Sequence, residues 1–181
     1  MRSGQLHVQN VCTNNAFSFH VIAMSAEGLD GPRVRFSAQR KGTVDSLLND
    51  GTTNGAKSYY EKQVAAMAEA LWELEMCGAA PVLPDGKVGG NSAFRLPLEA
   101  GKDAMVVSKS GKLGGVRFDA NKDACVVTNF DHDSWSCEYY GLNDDILPTS
   151  DTPMHWAALT AHEKYGWEET PNALLHGHAL E

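Results

Sequence analysis

Residues 172–178 have the sequence NALLHGH, an apolar run that ends in a His-x-His pair. An apolar run of this length predicts a buried β-strand. Side chains two positions apart in a strand point to the same face of the sheet, so we expect His176 and His178 to stand side by side. Two neutral imidazoles in this arrangement can bind one divalent metal ion. The alternative is an ordinary strand end, with both rings hydrogen-bonded to backbone or solvent.

The segments before this strand show both helical and strand patterns. Apolar residues recur at helical spacing over residues 58–77, with Ser58 as the expected N-cap and Gly78 as the terminating residue. A second helix is predicted over 153–165, with Pro153 in its first turn. Strand patterns occur at residues 17–23, 33–38, 92–97, 104–109 and 124–129. This order predicts an α/β fold with a mainly antiparallel sheet flanked by helices.

The composition limits the class of protein. The chain has 181 residues, 43% of them hydrophobic, which suits one globular domain with a real core. We expect residues 1–16, which are polar and lack periodicity, to be disordered, and residues 17–181 to form a single domain. A net charge of −8, from 15 basic and 23 acidic residues, disfavours nucleic acid or an acidic membrane surface as the main partner.

The predicted location follows from the apolar runs and the cysteines. No stretch approaches the length of a membrane span, and the first 20 residues lack the apolar core of a signal peptide. The four cysteines form no C-x-x-C pair and are too few for a disulfide scaffold. We therefore expect a cytoplasmic protein without a membrane partner.

Three loops carry small polar residues of the kind that bind oxyanions. They lie at residues 89–92, 108–111 and 148–151. Backbone N–H groups and hydroxyls in glycine-containing loops and at helix starts are suitable donors to phosphate. Taken singly, each loop is more simply an ordinary turn or helix N-cap, and Asp151 a capping or first-turn acid.

Taken in order, four motifs resemble the class II aldolase/adducin family over residues 58–181. They are GNSAFR at 90–95, SG at 110–111, PTSDTPMH at 148–155 and HGH at 176–178. The family carries a Gly-Asn-x-Ser-x-Arg-like segment, a Ser-Gly loop, a Pro-Ser-Ser-Glu motif before a helix, and a His-x-His strand. The chain resembles a divergent, C-terminally shortened member.

This resemblance implies a three-layer α/β/α fold and a metal-dependent lyase or isomerase acting on a small phosphorylated sugar or related hydroxy-carbonyl compound. It implies a divalent metal ion, most often zinc, held by His176 and His178, and a catalytic role for Asp151 in the position of the family's glutamate. The residues implied to contact phosphate or substrate are Asn91, Ser110, Gly111, Thr149 and Ser150. Family members often form tetramers, so a homo-oligomer is expected.

Two departures from the family pattern leave a second function open. The family's third metal histidine lies well beyond the His-x-His strand, so a third ligand is expected from Asp151, another upstream histidine or a neighbouring subunit. Asp151 is also one methylene shorter than glutamate, and errors of about 1 Å are costly at a catalytic site. His155, one turn into the second helix, is expected to pack or to support the site rather than bind metal. The alternative is a non-catalytic, adducin-like binding or assembly module without a working metal site.

Overall fold

A computed structural model describes residues 7–12, 18–25, 36–49, 55–99, 102–161, 163 and 169–179. The strands are β1 (His7–Cys12), β2 (Ser18–Ser25), β3 (Ser37–Gly42), β4 (Asn91–Glu99), β5 (Lys102–Ser108), β6 (Ala124–Asp131), β7 (Ser136–Tyr140) and β8 (Ala173–Ala179). The helices are α1 (Val44–Leu48), α2 (Ala56–Met76), α3 (Ala120–Asp123) and α4 (Thr152–Thr160). Among these elements, no helix is long and apolar enough to cross a membrane.

The described strands form one sheet in the order β1-β2-β8-β4-β5-β6-β7-β3. Six contiguous strands, β8 to β3, make up the part whose side chains are described, and the backbones of β1 and β2 extend the sheet beside β8. The β2–β8 and β3–β7 pairs are parallel, and the other neighbouring pairs are antiparallel. The prediction of a mixed α/β fold with a mostly antiparallel sheet is therefore confirmed.

Helices cover both faces of the sheet. The long helix α2 packs through Val64, Met67 and Leu71 against Phe94, Leu96, Val106 and Val126. The alternate residues of the same strands pack with Ala158 and Leu159 of α4, and they include Ala93, Met105, Val107 and Val127. We call these the α2 face and the α4 face. The alternation of side chains along each strand produces this two-sided core.

Several predicted element boundaries differ from the structure. Helix α2 begins two residues before the predicted Ser58, and its N-cap is Gly55, whose φ of +88° is one that glycine adopts readily. At the other end, Gly78 has the expected left-handed φ of +81°. Helix α4 ends at Thr160 rather than at 165, and residues 164–168 lie outside the described part.

The short elements α1, α3 and β7 were not predicted. Strand β7 carries only two buried side chains, Cys137 and Tyr139, so its alternation is a weak signal in sequence. The strand predicted at 33–38 corresponds to β3, which begins at Ser37, and residues 31–35 lie outside the described residues. Within the segment predicted to be disordered, residues 7–12 form β1 and the others are not described.

Candidate functional site

Strand β8 presents His176 and His178 on the α4 face, as the i, i+2 spacing predicts. The two ring centroids are 4.8 Å apart, and His176 is 3% exposed. Gly177, between them, faces the loop that follows α2, where a Cβ atom would collide with the carbonyl oxygen of Ala79. That same oxygen accepts a 2.7 Å hydrogen bond from the backbone N–H of His178. The loop therefore holds the end of β8 in place and requires glycine at position 177.

The start of α4 brings two further side chains to this strand end. Asp151 occupies the N-cap position, but its carboxylate makes no capping hydrogen bond. Its Oδ2 atom instead lies 2.9 Å from Nδ1 of His176. One turn further along α4, His155 is fully buried, and its Nε2 atom lies 2.5 Å from Oδ1 of Asn91.

Asn91 joins these groups because it opens β4 directly opposite His176 in the strand register. Its Nδ2 atom donates to Oδ2 of Asp151 and lies 3.2 Å from Nδ1 of His176. Its Oδ1 atom accepts from His155. The four side chains of Asn91, Asp151, His155 and His176 form one hydrogen-bonded network, which we call the β8–α4 network.

The donors and acceptors in this network assign the imidazole tautomers. The Asp151 carboxylate can only accept, so the His176 ring, in its neutral form, carries its proton on Nδ1. The Asn91 carbonyl likewise places the proton of His155 on Nε2. The lone-pair nitrogen of His176 is then Nε2. This atom is buried without a hydrogen-bond partner, as are Nδ1 of His155 and Nδ1 of His178.

Burial and hydrogen bonding fix the charge states of the network. Burial opposes ionisation of Asp151, but the hydrogen bond and charge of His176 and the bond from Asn91 outweigh it and lower the Asp151 pKa to about 2. Burial lowers the His155 pKa to about 4, the Asp151 charge opposes this shift, and His176 adds to it. Burial also lowers the pKa of His178, and the neighbouring His176 lowers it further. At neutral pH Asp151 is ionised, and His155 and His178 are neutral.

The two predicted oxyanion loops near α4 lie against each other. Lys109 and Pro148 form an antiparallel bridge, and the N–H of Ser110 donates to Leu147 O at 2.8 Å. The N–H of Thr149 donates to Ser108 O at 3.1 Å. This pairing places residues 108–111 beside residues 147–150, directly before the Asp151 end of the β8–α4 network.

The hydrogen bonds of these loops limit which groups can bind phosphate. The N–H groups of Ser110, Thr149 and Asp151 are already bonded within the protein. The Thr149 side chain is buried and accepts the Asp151 N–H. Within the part of the chain that the structure describes, the Ser110 hydroxyl, the Ser150 hydroxyl and the N–H of Gly111 have no hydrogen-bond partner and are left as donors for an oxyanion. The Lys87 side chain lies against Gly111, about 3.4 Å from the position a Cβ atom would take there.

The structure thus divides the predicted site residues into two neighbouring groups. His176, Asp151 and Asn91 belong to the β8–α4 network, and the His178 ring lies beside it, tilted by 51° to the His176 ring. Ser110, Gly111, Thr149 and Ser150 belong to the paired loops. Sequence reasoning did not place Lys87 in the site, because its only signal is a basic residue near a glycine-rich turn. The proximity of His155 to Asp151 could be predicted from the sequence, since His155 follows Asp151 by four residues on a helix.

Two further findings bear on the identity of the site. Among the described residues, no group of three or more His, Cys, Asp or Glu side chains is arranged to hold a metal ion. Beside the histidine pair, the backbone register of β2 places Ile22 opposite His176 and Met24 opposite His178. Comparison of the chain with protein-family models, with curated proteins and with solved structures gives no match.

Proposed function

We propose that the protein is a metal-dependent lyase or isomerase that acts on a small phosphorylated sugar or related hydroxy-carbonyl compound. One observation carries this proposal. Nε2 of His176 and Nδ1 of His178 belong to neighbouring rings and are buried without partners, while the opposite nitrogen of His176 is bonded to a carboxylate. Buried nitrogens without partners are costly unless a ligand satisfies them.

The donor set suits a divalent cation, most simply zinc. Histidines that bind metal usually donate their other ring N–H to a carboxylate or carbonyl group, which fixes the tautomer and aims the ring. Asp151 does this for His176. Protein zinc sites need at least three donors, so the proposal requires a third ligand beyond His176 and His178. A residue of a neighbouring subunit fits the expected homo-oligomer.

The bound cation would stabilise negative charge on a substrate oxygen. The chain's own residues would position the reacting carbon and move its proton. Asp151 is the proposed general base: Oδ2 holds His176, and Oδ1 is left to take a proton from the substrate. The Ser110 and Ser150 hydroxyls and the Gly111 N–H are the proposed phosphate donors. The Lys87 side chain packs against Gly111 through its methylene groups, and its ammonium is paired with Asp85 at 2.9 Å.

The motif order supports assignment to the class II aldolase/adducin family. In this proposal, the loop pair 108–111 and 147–150 corresponds to the family's phosphate cradle and β8 to its His-x-His strand. The substrate class and the tetrameric assembly both rest on this resemblance.

A second candidate is a non-catalytic, adducin-like binding or assembly module. The observation that favours it is the lack of a three-residue metal group among the described side chains. In this case the unpartnered nitrogens of the histidine pair would be satisfied by water or by a partner protein.

Metal analysis separates the two candidates. The full chain, purified without a histidine tag, is assayed for bound metal alongside His176→Ala, His178→Ala and His132→Ala. His132 is exposed in the β6–β7 hairpin and serves as the matched control. The enzyme proposal expects about one metal ion per chain, lost in the first two variants and kept in the third. Metal-free protein that binds no added Zn²⁺ would favour the module.

A further inference from the structure

A pocket of about 350 Å³ opens between the first turns of α4 and the hairpin that joins β6 to β7. Ser150 and Asp151 line it with polar groups at the start of α4, and Met154 adds apolar surface from the same helix. His132 and Trp135 line it from the hairpin. The lining therefore combines the proposed general base with two aromatic residues.

The hairpin holds these two rings in a defined arrangement. Oδ1 of Asp131 accepts the N–H of Asp133 at 2.8 Å, and Oδ2 accepts the Ser134 hydroxyl at 2.6 Å. The carbonyl oxygen of Trp135 accepts the N–H of Ser37 at 3.1 Å, which ties the hairpin to β3. The hairpin that carries His132 and Trp135 is thus ordered before any ligand binds.

Trp135 has an unusual backbone conformation for its side chain. It is the only described non-glycine residue with a positive φ, of 52°. Its ring packs edge-on against Phe130 at 5.5 Å and lies 5.9 Å from the ring of His132, yet 39% of the residue is exposed. A glycine would adopt this φ without strain, so the hairpin itself does not require an indole here. Strain of this kind is common at binding sites.

We propose that this pocket binds the uncharged, apolar end of a hydroxylated small molecule. A flat hydrocarbon group such as a phenyl ring lies against Trp135 and His132, and a hydroxyl reaches Asp151. An anionic end is disfavoured here, because Asp151 is a carboxylate and the chain carries a net charge of −8. Under the proposed function, on which this reading of the substrate rests, the phosphate lies at the paired loops and the pocket takes the opposite end.

Two neutral diols that differ only in their apolar group test this subsite. The full chain is titrated with 1-phenyl-1,2-ethanediol and with 1,2-propanediol, and the dissociation constants are read from the backbone N–H signals of Ser150 and Asp151 in NMR spectra. Burying a phenyl ring instead of a methyl group predicts binding of the phenyl diol about tenfold tighter. In Trp135→Gly, which removes the indole and relieves the backbone strain, this preference is expected to fall below about twofold.

The control is Trp72→Phe, on the α2 face, where the guanidinium of Arg117 lies 4.7 Å from the ring centroid. This variant is expected to keep the tenfold preference. Equal affinity of the two diols for the unmodified chain, or an unchanged preference in folded Trp135→Gly, would overturn the proposal. A second variant, Met154→Ala, is expected to weaken binding of the phenyl diol, and unchanged binding there would also count against the subsite.

The same titration in His176→Ala separates this proposal from the metal proposal. The diols need no metal ion, so their ranking is expected to persist in His176→Ala even if metal is lost or was never bound. A preference that persists in metal-free protein supports the subsite while the lyase proposal fails on its own assay.

Discussion

Oδ2 of Asp151 lies 2.9 Å from Nδ1 of His176, although Asp151 precedes α4 and His176 lies in β8. An aspartate at the N-cap position normally bonds to the first N–H groups of its own helix. Here the carboxylate gives up that role and holds the imidazole instead. The helix start is therefore tied to the strand that carries the histidine pair, and the unpartnered Nε2 of His176 is held in a fixed orientation.

Asp151→Asn is expected to alter the acid stability of the protein. The folded pKa of Asp151 is about 2, below its ordinary value of 3.8, so its contribution to stability is fully present above about pH 4 and is lost as the pH falls toward 2. We expect the variant to be less stable at pH 6, by on the order of 2 kcal/mol. Urea unfolding at pH 6, 4 and 3 measures the difference. A difference that grows as the pH falls would contradict this assignment.

His155→Gln tests the neutral, buried imidazole. Its folded pKa of about 4 lies below its ordinary 6.5. The unfolded chain therefore binds a proton more readily, and the stability present above pH 6.5 is lost as the pH falls toward 4. This loss amounts to about 3 kcal/mol. Glutamine can still donate to Asn91 but does not titrate, so the variant's stability is expected to fall less over this range. Parallel curves for the two proteins between pH 8 and pH 4.5 would exclude His155 as the cause.

Gly177→Ala is expected to disturb the strand end that carries the histidines. The added Cβ would collide with the carbonyl oxygen of Ala79, which is backbone and cannot move aside cheaply. We expect a loss of unfolding free energy of about 2–3 kcal/mol together with weaker Zn²⁺ binding. The control is Gly86→Ala, where φ is +79° and the space is open. It is expected to lose about 1 kcal/mol with metal binding unchanged. If the two variants bind Zn²⁺ equally well, the loop contact does not position the pair.

Glu75→Gln tests how the loop after Ser110 is attached to α2. Nζ of Lys112 lies 2.9 Å from Oε2 of Glu75, the two side chains are 6% and 3% exposed, and Oε1 accepts the Gly115 N–H. Removing the negative charge leaves a buried ammonium group without its partner, which costs about 3–5 kcal/mol.

The matched control is Glu69→Gln. It breaks the ion pair with Arg117, whose side chains are 64% and 58% exposed respectively, and an exposed pair of this kind contributes at most about 1 kcal/mol. Chemical denaturation of both variants gives the comparison. Similar small losses in the two would show that the Glu75–Lys112 pair does not stabilise the fold.

Much of the fold could be predicted from local patterns. The helical spacing over 58–77 corresponds to α2, and the apolar strands β4, β5, β6 and β8 appear where the sequence alternates or runs apolar. Strand β7 and helix α1 are short and only partly buried, so their residues carry too weak a pattern. The strand order, with β8 between β2 and β4, depends on pairings between distant segments that no local pattern specifies.

The candidate site was predictable in part. The i, i+2 rule placed His176 and His178 on one face, and the structure confirms that geometry. Asp151 was recognised as a site residue only through the family resemblance, since taken singly it is an ordinary cap. That Asn91 bonds to both Asp151 and His155 beside His176 could not be foreseen, because three separate elements, β4, α4 and β8, must meet before those bonds exist.

By itself, the sequence determined the periodicities, the glycine between the two imidazoles and the acidic net charge, because these follow from the order of residues along a strand or helix and from composition. Only the tertiary structure decided that Asp151 would hold His176 rather than cap α4, and that Trp135 would line the same pocket as Asp151. The physical reason is that hydrogen bonds and ring contacts between distant segments form only when the sheet register and helix packing bring those side chains within a few ångströms.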